Sequence, residues 1–232
     1  MVTKRIVCLA NSRKTGGYCV AGKELVNDQP AGWIRPVSNR EKEEISEHEC
    51  RYEDGNVPQL LDIMNVPLLR PRLKPKSPQR ENWLLDTNSC WGKDSSMHWR
   101  DPALLVDCEE PLWLNGENTY NGLNDRISLS SVGSLGSSLR FIRVDKLTLY
   151  VFAPGEDFGN PDRRVQGQFQ HDGDEYHLWV TDPKFEHLYL KKRNGKYEIG
   201  ASFLTVSLGE SHDGYYYKFI AAIIPCDGAT VE

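Results

Sequence analysis

The chain has 232 residues, a formal net charge of −5, 39% hydrophobic and 26% charged side chains, and a mean hydropathy of −0.56. That composition supplies a core and a wet surface, which excludes a disordered chain, and the length suits one large domain or two lobes. The apolar run at residues 6–10 is too short for a signal-peptide core or a membrane span, so a cytoplasmic protein without a membrane partner is expected.

In chain order, residues 5–11 and 18–22 flank Lys14-Thr15-Gly16-Gly17, whose glycines can take positive φ, and this predicts a first hairpin. A helix is expected over 39–49, capped by Ser38 or Asn39 and carrying acids in its first turn. Residues 67–79 hold Pro67, Pro71, Pro75 and Pro78 interleaved with Arg70, Arg72, Lys74 and Lys76, the pattern of an extended, exposed, basic connection. Six serines and two glycines at 128–138 set the domain boundary, giving an N-terminal lobe of 1–135 and a C-terminal lobe of 136–232. The alternative is a polar loop, or an edge strand through Ile127 and Leu129, inside one sheet system.

Further on, residues 164–170 and 176–181 read as strands joined by Asp172-Gly173, and Asp182 caps a helical turn that starts at Pro183. Asn194-Gly195 and Asp213-Gly214 read as tight turns. The latter joins 203–208 to 215–224, the longest apolar run and a central strand. A lone lysine in that run, Lys218, must reach solvent or pair with a carboxylate such as Glu210. Trp113 and Trp179, set among leucines and valines, read as core. Short strands rich in Val, Ile, Tyr, Phe and Trp between turn signals define an all-β protein with minor helices.

Chemistry-bearing motifs are few. Cys8, Cys19, Cys50, Cys90, Cys108 and Cys226 form no Cys-x-x-Cys pair and have no histidine at finger spacing, so neither a metal nor any other cofactor is expected, and the thiols read as reduced. His171 and His177 could meet across their hairpin as a solvated pair. Gly-x-Ser-x-Gly, His-Glu-x-x-His and dinucleotide fingerprints are missing, so the chain is read as a non-enzyme.

Charge is segregated. Residues 1–40 hold seven bases and two acids, whereas 41–62 hold eight acids and two bases. In the basic stretch, Asn11-Ser12-Arg13-Lys14 ends a strand at a Gly-rich turn, where backbone amides, a hydroxyl and two cations could converge on a phosphate. Lys23 and Arg35 follow strand-like segments and extend that patch, and Trp33 and Trp83 lie beside cations. Rings that stack on bases next to cations that hold the backbone are what a nucleic-acid surface needs. The candidate contacts are therefore Ser12, Arg13, Lys14, Lys23, Trp33, Arg35, Asn82 and Trp83. The plain alternative is solvated charges and core indoles.

The strings Cys8-Leu9-Ala10-Asn11-Ser12-Arg13-Lys14, Cys19-Val20-Ala21-Gly22-Lys23-Glu24, Gly32-Trp33-Ile34-Arg35-Pro36-Val37-Ser38, Glu81-Asn82-Trp83, Val180-Thr181-Asp182-Pro183, Val206-Ser207-Leu208-Gly209-Glu210 and Lys218-Phe219-Ile220-Ala221-Ala222-Ile223-Ile224 resemble the bacterial dual OB-containing domain family over nearly the whole chain. The resemblance implies two OB-type β-barrels in tandem, which commonly hold single strands or other extended ligands across one sheet face. It carries no catalytic residues. The expected function is single-stranded DNA or RNA recognition in a bacterial nucleic-acid-processing or defence context. The alternatives are a small-nucleotide sensor, a protein-interaction module, and last an enzyme whose site is assembled from distant residues.

Overall fold

The computed structural model describes residues 1–14, 16–75, 77–98, 101–107 and 111–226, without the side chains of residues 13, 14, 133 and 134. The chain folds as two compact units, Met1–Leu105 with Gly136–Leu139, and Val106–Leu135 with Arg140–Glu232.

The first unit contains β1 (Val2–Lys14), β2 (Gly17–Val26), β3 (Gln29–Val37), a four-residue helix α1 (Glu47–Cys50), β4 (Asp62–Pro71), β5 (Asn82–Leu85) and β6 (Gly92–Ser96). The β1–β2 turn lies at the expected place. The β2–β3 turn is made by Asn27 and Asp28 at φ of 51° and 61°, left-handed positions that Asn and Asp tolerate and that match a hairpin's twist. The strands run in the order β1-β2-β3-β5-β4, and β4 pairs back onto β1, closing a five-stranded barrel with β6 outside it. All of these pairings are antiparallel except β3 with β5, where Arg35 faces Asn82 and Pro36 faces Trp83. Closure demands close approach at β2. A Cβ on Gly22 would lie 1.9 Å from the Val7 carbonyl oxygen, so only glycine fits there. Ile6, Val20, Ile34, Met64, Val66, Leu68 and Trp91 fill the interior.

The second unit contains β7 (Arg126–Ser128), β8 (Leu139–Phe152, from Arg140 on), β9 (Arg164–His171), β10 (Asp174–Val180), α2 (Pro183–Leu190), β11 (Gly195–His212) and β12 (Tyr215–Pro225). Its order, β8-β9-β10-β12-β11, repeats the first circuit, and β8 meets β11. The third and fifth strands again pair in parallel, Trp179 opposite Phe219 and Val180 opposite Ile220. In each unit the helix follows the third strand. This is the Greek-key circuit of an OB barrel, present twice. Asp172-Gly173 and Asp213-Gly214 form the expected turns, both residues of each at positive φ. Tyr176, Leu178, Val180, Leu204, Val206 and Ile220 form the core, and α2 adds Phe185 and Tyr189. Asp182 caps α2 as expected: one carboxylate oxygen accepts from the Lys184 and Phe185 amides at 2.9 and 3.1 Å, the other from Ile223 on β12 at 2.9 Å.

Three expectations need correction. A boundary at 135/136 puts residues 106–135 in the first lobe, yet Leu112, Trp113, Ile127 and Val132 belong to the second core. The helix over 39–49 shrinks to α1, because Glu43 takes φ 56° and interrupts it, and Ser46 with Glu49 starts the helix anew. Pro67 and Pro71 lie within β4, Pro67 opposite Thr3 on the last but one rung of the β1–β4 ladder, so only the rest of 67–79 is a connection. Asn194-Gly195 lies where the chain passes from α2 into β11.

Candidate ligand groove in the second barrel

The candidate contacts in the first barrel turn largely inward. The side chains of Arg13 and Lys14 lie outside the described residues. Ser12, Lys23, Trp33, Arg35 and Asn82 are buried. Lys23 Nζ sits 5.8 Å from the Trp33 ring centre. Arg35 Nη2 lies 3.1 Å from Glu81 Oε1, with both side chains at most 6% exposed, and donates to Ser138 Oγ at 3.0 Å. Ser138 in turn donates its hydroxyl and its amide to Glu81. Asn82 donates to Gln79 at 3.2 Å. Trp83 is half-buried beneath Lys4, whose ammonium is 4.6 Å from the ring centre and 2.8 Å from Glu24. The basic connection is also partly neutralised, since Arg72 and Lys74 reach buried Glu43 at 2.6 and 3.0 Å. Burial alone would raise the Glu43 pKa, but these two cations hold it below the usual carboxylate value. Cations that read as a surface patch along the chain are thus used in internal pairs, because a buried charge must be matched.

The second barrel presents an open groove of about 760 Å³. Its floor is Trp179 on β10 with Tyr217 and Phe219 on β12. One wall is the β8–β9 loop, through Pro154, Gly155, Asn160 and Asp162, leading into Arg164. Glu210 and His212 at the end of β11 close one side, and Thr119, Tyr120 and Asn121 close another. Strand alternation sets the floor. Tyr176, Leu178 and Val180 point into the core, so Trp179 faces the other way and is only partly buried. The expectation that Trp179 is core is therefore corrected.

Arg164 lies across the Trp179 ring, Cζ 4.2 Å from its centre, and Phe152 supports the indole at 5.7 Å. Among the described residues its guanidinium has no ion pair and no hydrogen bond. Desolvation against its neighbours lowers its pKa, with Glu186 acting in the opposite direction, although the side chain as a whole is solvent-exposed. At the rim, Tyr120 and Phe158 are 86% and 78% exposed and meet edge-to-face at 6.4 Å.

The wall at 119–121 belongs to a segment that precedes the barrel in sequence and is tied onto it. Asp125 accepts from the Thr119 amide at 2.8 Å and from the Thr119 hydroxyl. Buried Gln166 donates to the Asn121 carbonyl at 2.6 Å. Lys218, fully buried, donates to Leu114 O at 2.8 Å and Asn115 Oδ1 at 2.9 Å. The carboxylates that act on Lys218 are Asp125 and Asp174, so the expected partner Glu210 is replaced by this segment. His177 pairs with Glu175 at 2.9 Å and stands opposite Gln168, so His171 and His177 do not meet.

Among the described residues no cluster of three or more His, Cys, Asp or Glu side chains could hold a metal ion. None of the described helices is long and apolar enough to cross a membrane. Five-stranded barrels with this circuit, one of them bearing an aromatic groove, define an OB-fold binding module. The chain belongs to the dual OB-containing domain family, whose model matches residues 4–223. No curated protein matches it. Among solved structures it is similar to one described as the crystal structure of the tetrameric p202 HIN2, at 9% identity and a TM-score of 0.31, over 95% of this chain and 92% of that one. So remote a likeness carries no functional argument.

Proposed function

We propose that the chain binds single-stranded nucleic acid through the groove of its second barrel. The observation that carries this reading is Arg164, resting over Trp179 with no ion pair or hydrogen bond among the described residues, in a groove rimmed by exposed Tyr120 and Phe158. Rings supply stacking faces for successive bases, and a guanidinium whose donors are not engaged in hydrogen bonds receives a phosphate. Asp162 and Glu210 accept from amino groups on base edges, a role acids perform where the backbone is held elsewhere. Binding without chemistry is part of the proposal.

The test is titration of short deoxy- and ribo-oligonucleotides followed by tryptophan fluorescence, with the Trp179→Ala and Arg164→Ala variants alongside. Trp179→Ala removes the ring on which Arg164 rests, and loss of a hydrogen bond to a charged group costs about 1.5–3 kcal/mol, so binding should weaken by roughly 10- to 150-fold. Absence of binding at low salt, or an unaffected Trp179→Ala variant, refutes the reading. A free mononucleotide is the second reading, supported by the groove's volume, which falls within the range of small-molecule sites. It predicts thermal stabilisation by nucleotides with no oligonucleotide binding.

A further inference from the structure

Beside the groove lies a feature that the binding proposal leaves unused. The turn from α2 to β11 reads Lys191-Lys192-Arg193-Asn194-Gly195-Lys196, and all six residues are exposed. Among the described residues none of its four cations has an ion pair within 4 Å; Glu198, two residues on, pairs with Lys146 at 2.8 Å and feels Lys196 at longer range. Two of the ammoniums rest on tyrosines. Lys192 Nζ lies 4.3 Å from the Tyr189 ring centre and 5.2 Å from that of Tyr197, and Lys196 Nζ lies 5.3 Å from that of Tyr150. Rings beneath a lysine restrain its stem while leaving the charge available.

The turn is also fastened to the groove wall. Arg163, between the groove residues Asp162 and Arg164, donates Nε to Asn194 Oδ1 at 2.7 Å, Nη1 to the Leu190 carbonyl at 3.0 Å, and Nη2 to the Lys192 carbonyl. Three hydrogen bonds from one planar group fix the position of the turn relative to the strand that carries Arg164. The groove has aromatic rings, two carboxylates and one unpaired cation, whereas the turn has four cations and no acid. Bases suit the first and phosphates the second.

We infer that Lys191, Lys192, Arg193 and Lys196 form a phosphodiester track that carries the backbone of a strand whose bases occupy the groove. The inference rests on the groove reading, and it extends the site across the 162–164 segment onto the turn. Each phosphate neutralised on a single strand contributes about −0.7 to the slope of log K against log salt. The groove alone, with Arg164, gives a slope near −0.7, and full use of the turn adds up to about −2.8.

The experiment compares a four-nucleotide and a twelve-nucleotide oligodeoxycytidylate, whose bases carry the amino group that the groove acids accept, on the full chain and on a variant carrying Lys191→Gln, Lys192→Gln, Arg193→Gln and Lys196→Gln, across a salt series. For the wild-type chain the longer strand should show the steeper slope. The variant should bind the short strand as before and lose the additional slope and affinity of the long one, a drop of roughly tenfold or more at low salt. A melting curve confirms that these surface changes leave the barrel folded. A variant that keeps the wild-type slope on the long strand overturns the track. The groove reading fails separately, if Trp179→Ala leaves binding of the short strand intact. Should the variant lose binding of both strands equally, the turn belongs to the primary site and the division into base groove and phosphate track is wrong.

Discussion

Arg35→Met is the substitution that separates an internal ion pair from a ligand contact. In the folded chain the Arg35 guanidinium and the Glu81 carboxylate are at most 6% exposed and 3.1 Å apart, with Ser138 hydrogen-bonded to both. Removing the cation leaves the carboxylate buried with only serine hydroxyls and an amide as donors. Breaking one side of such a pair costs about 3–5 kcal/mol, far more than the loss of an exposed charge. For a unit of this size each kcal/mol lowers the melting temperature by roughly 4 °C or more, so the first barrel should melt about 12–20 °C earlier. The double variant Arg35→Met with Glu81→Gln removes both charges and should recover much of that loss. Melting followed by tryptophan fluorescence reads the transition, and oligonucleotide binding is measured well below it. An Arg35→Met protein that melts like the wild type but no longer binds oligonucleotides would refute the burial argument and make Arg35 a contact residue.

Burial pulls the Lys218 ammonium down to about 7, against the pull of Asp125 and Asp174. An unfolded lysine stays protonated to about pH 10, so between the two values the unfolded chain holds the extra proton and stability rises with pH. Relative to Lys218→Met, the wild-type second barrel should therefore gain stability from about pH 7 to pH 9 in urea titrations, and a pH-independent difference would contradict this. A Cβ on Gly122 would fall 1.8 Å from Asp125 Oδ2, so Gly122→Ala should push Asp125 off Thr119, displace the 119–121 wall and cost about 1–3 kcal/mol. Unchanged oligonucleotide affinity in that variant would remove the wall from the site. Burial pushes the Cys50 thiol up to about 11 and Cys8 higher still, whereas Cys90 is exposed. Alkylation near neutral pH, mapped by peptide mass spectrometry, should label Cys90 before Cys8 and Cys50, which react only on unfolding; early labelling of Cys8 would show that the first core opens.

The fold is legible in the sequence where its determinants are local. Asp172-Gly173 and Asp213-Gly214 specify left-handed turns by their own chemistry, and Asp182 caps α2 with atoms three residues away at most along the chain. The candidate site is not. Lys23 and Arg35 read as surface cations because they follow strand-like segments in a stretch with seven bases and two acids, whereas the groups that consume Arg35, Glu81 and Ser138, lie 46 and 103 residues away. Trp179 reads as core from the company of Leu178 and Val180, although period-two alternation with Tyr176, Leu178 and Val180 already places it on the opposite face. No comparable signal marks Tyr120 or Arg164, which line one groove because Gln166 and Asp125 dock a segment from outside the strand circuit.

That docked segment bears on how such a barrel can be inherited or excised. A fragment cut at the serine-rich stretch would retain all five strands of the circuit and α2, yet it would strand the Lys218 ammonium without Leu114 and Asn115 and open the groove on the side of Thr119. The second unit as it folds starts at Val106, and copying the five strands and α2 alone would pass on the floor of the groove without its 119–121 wall.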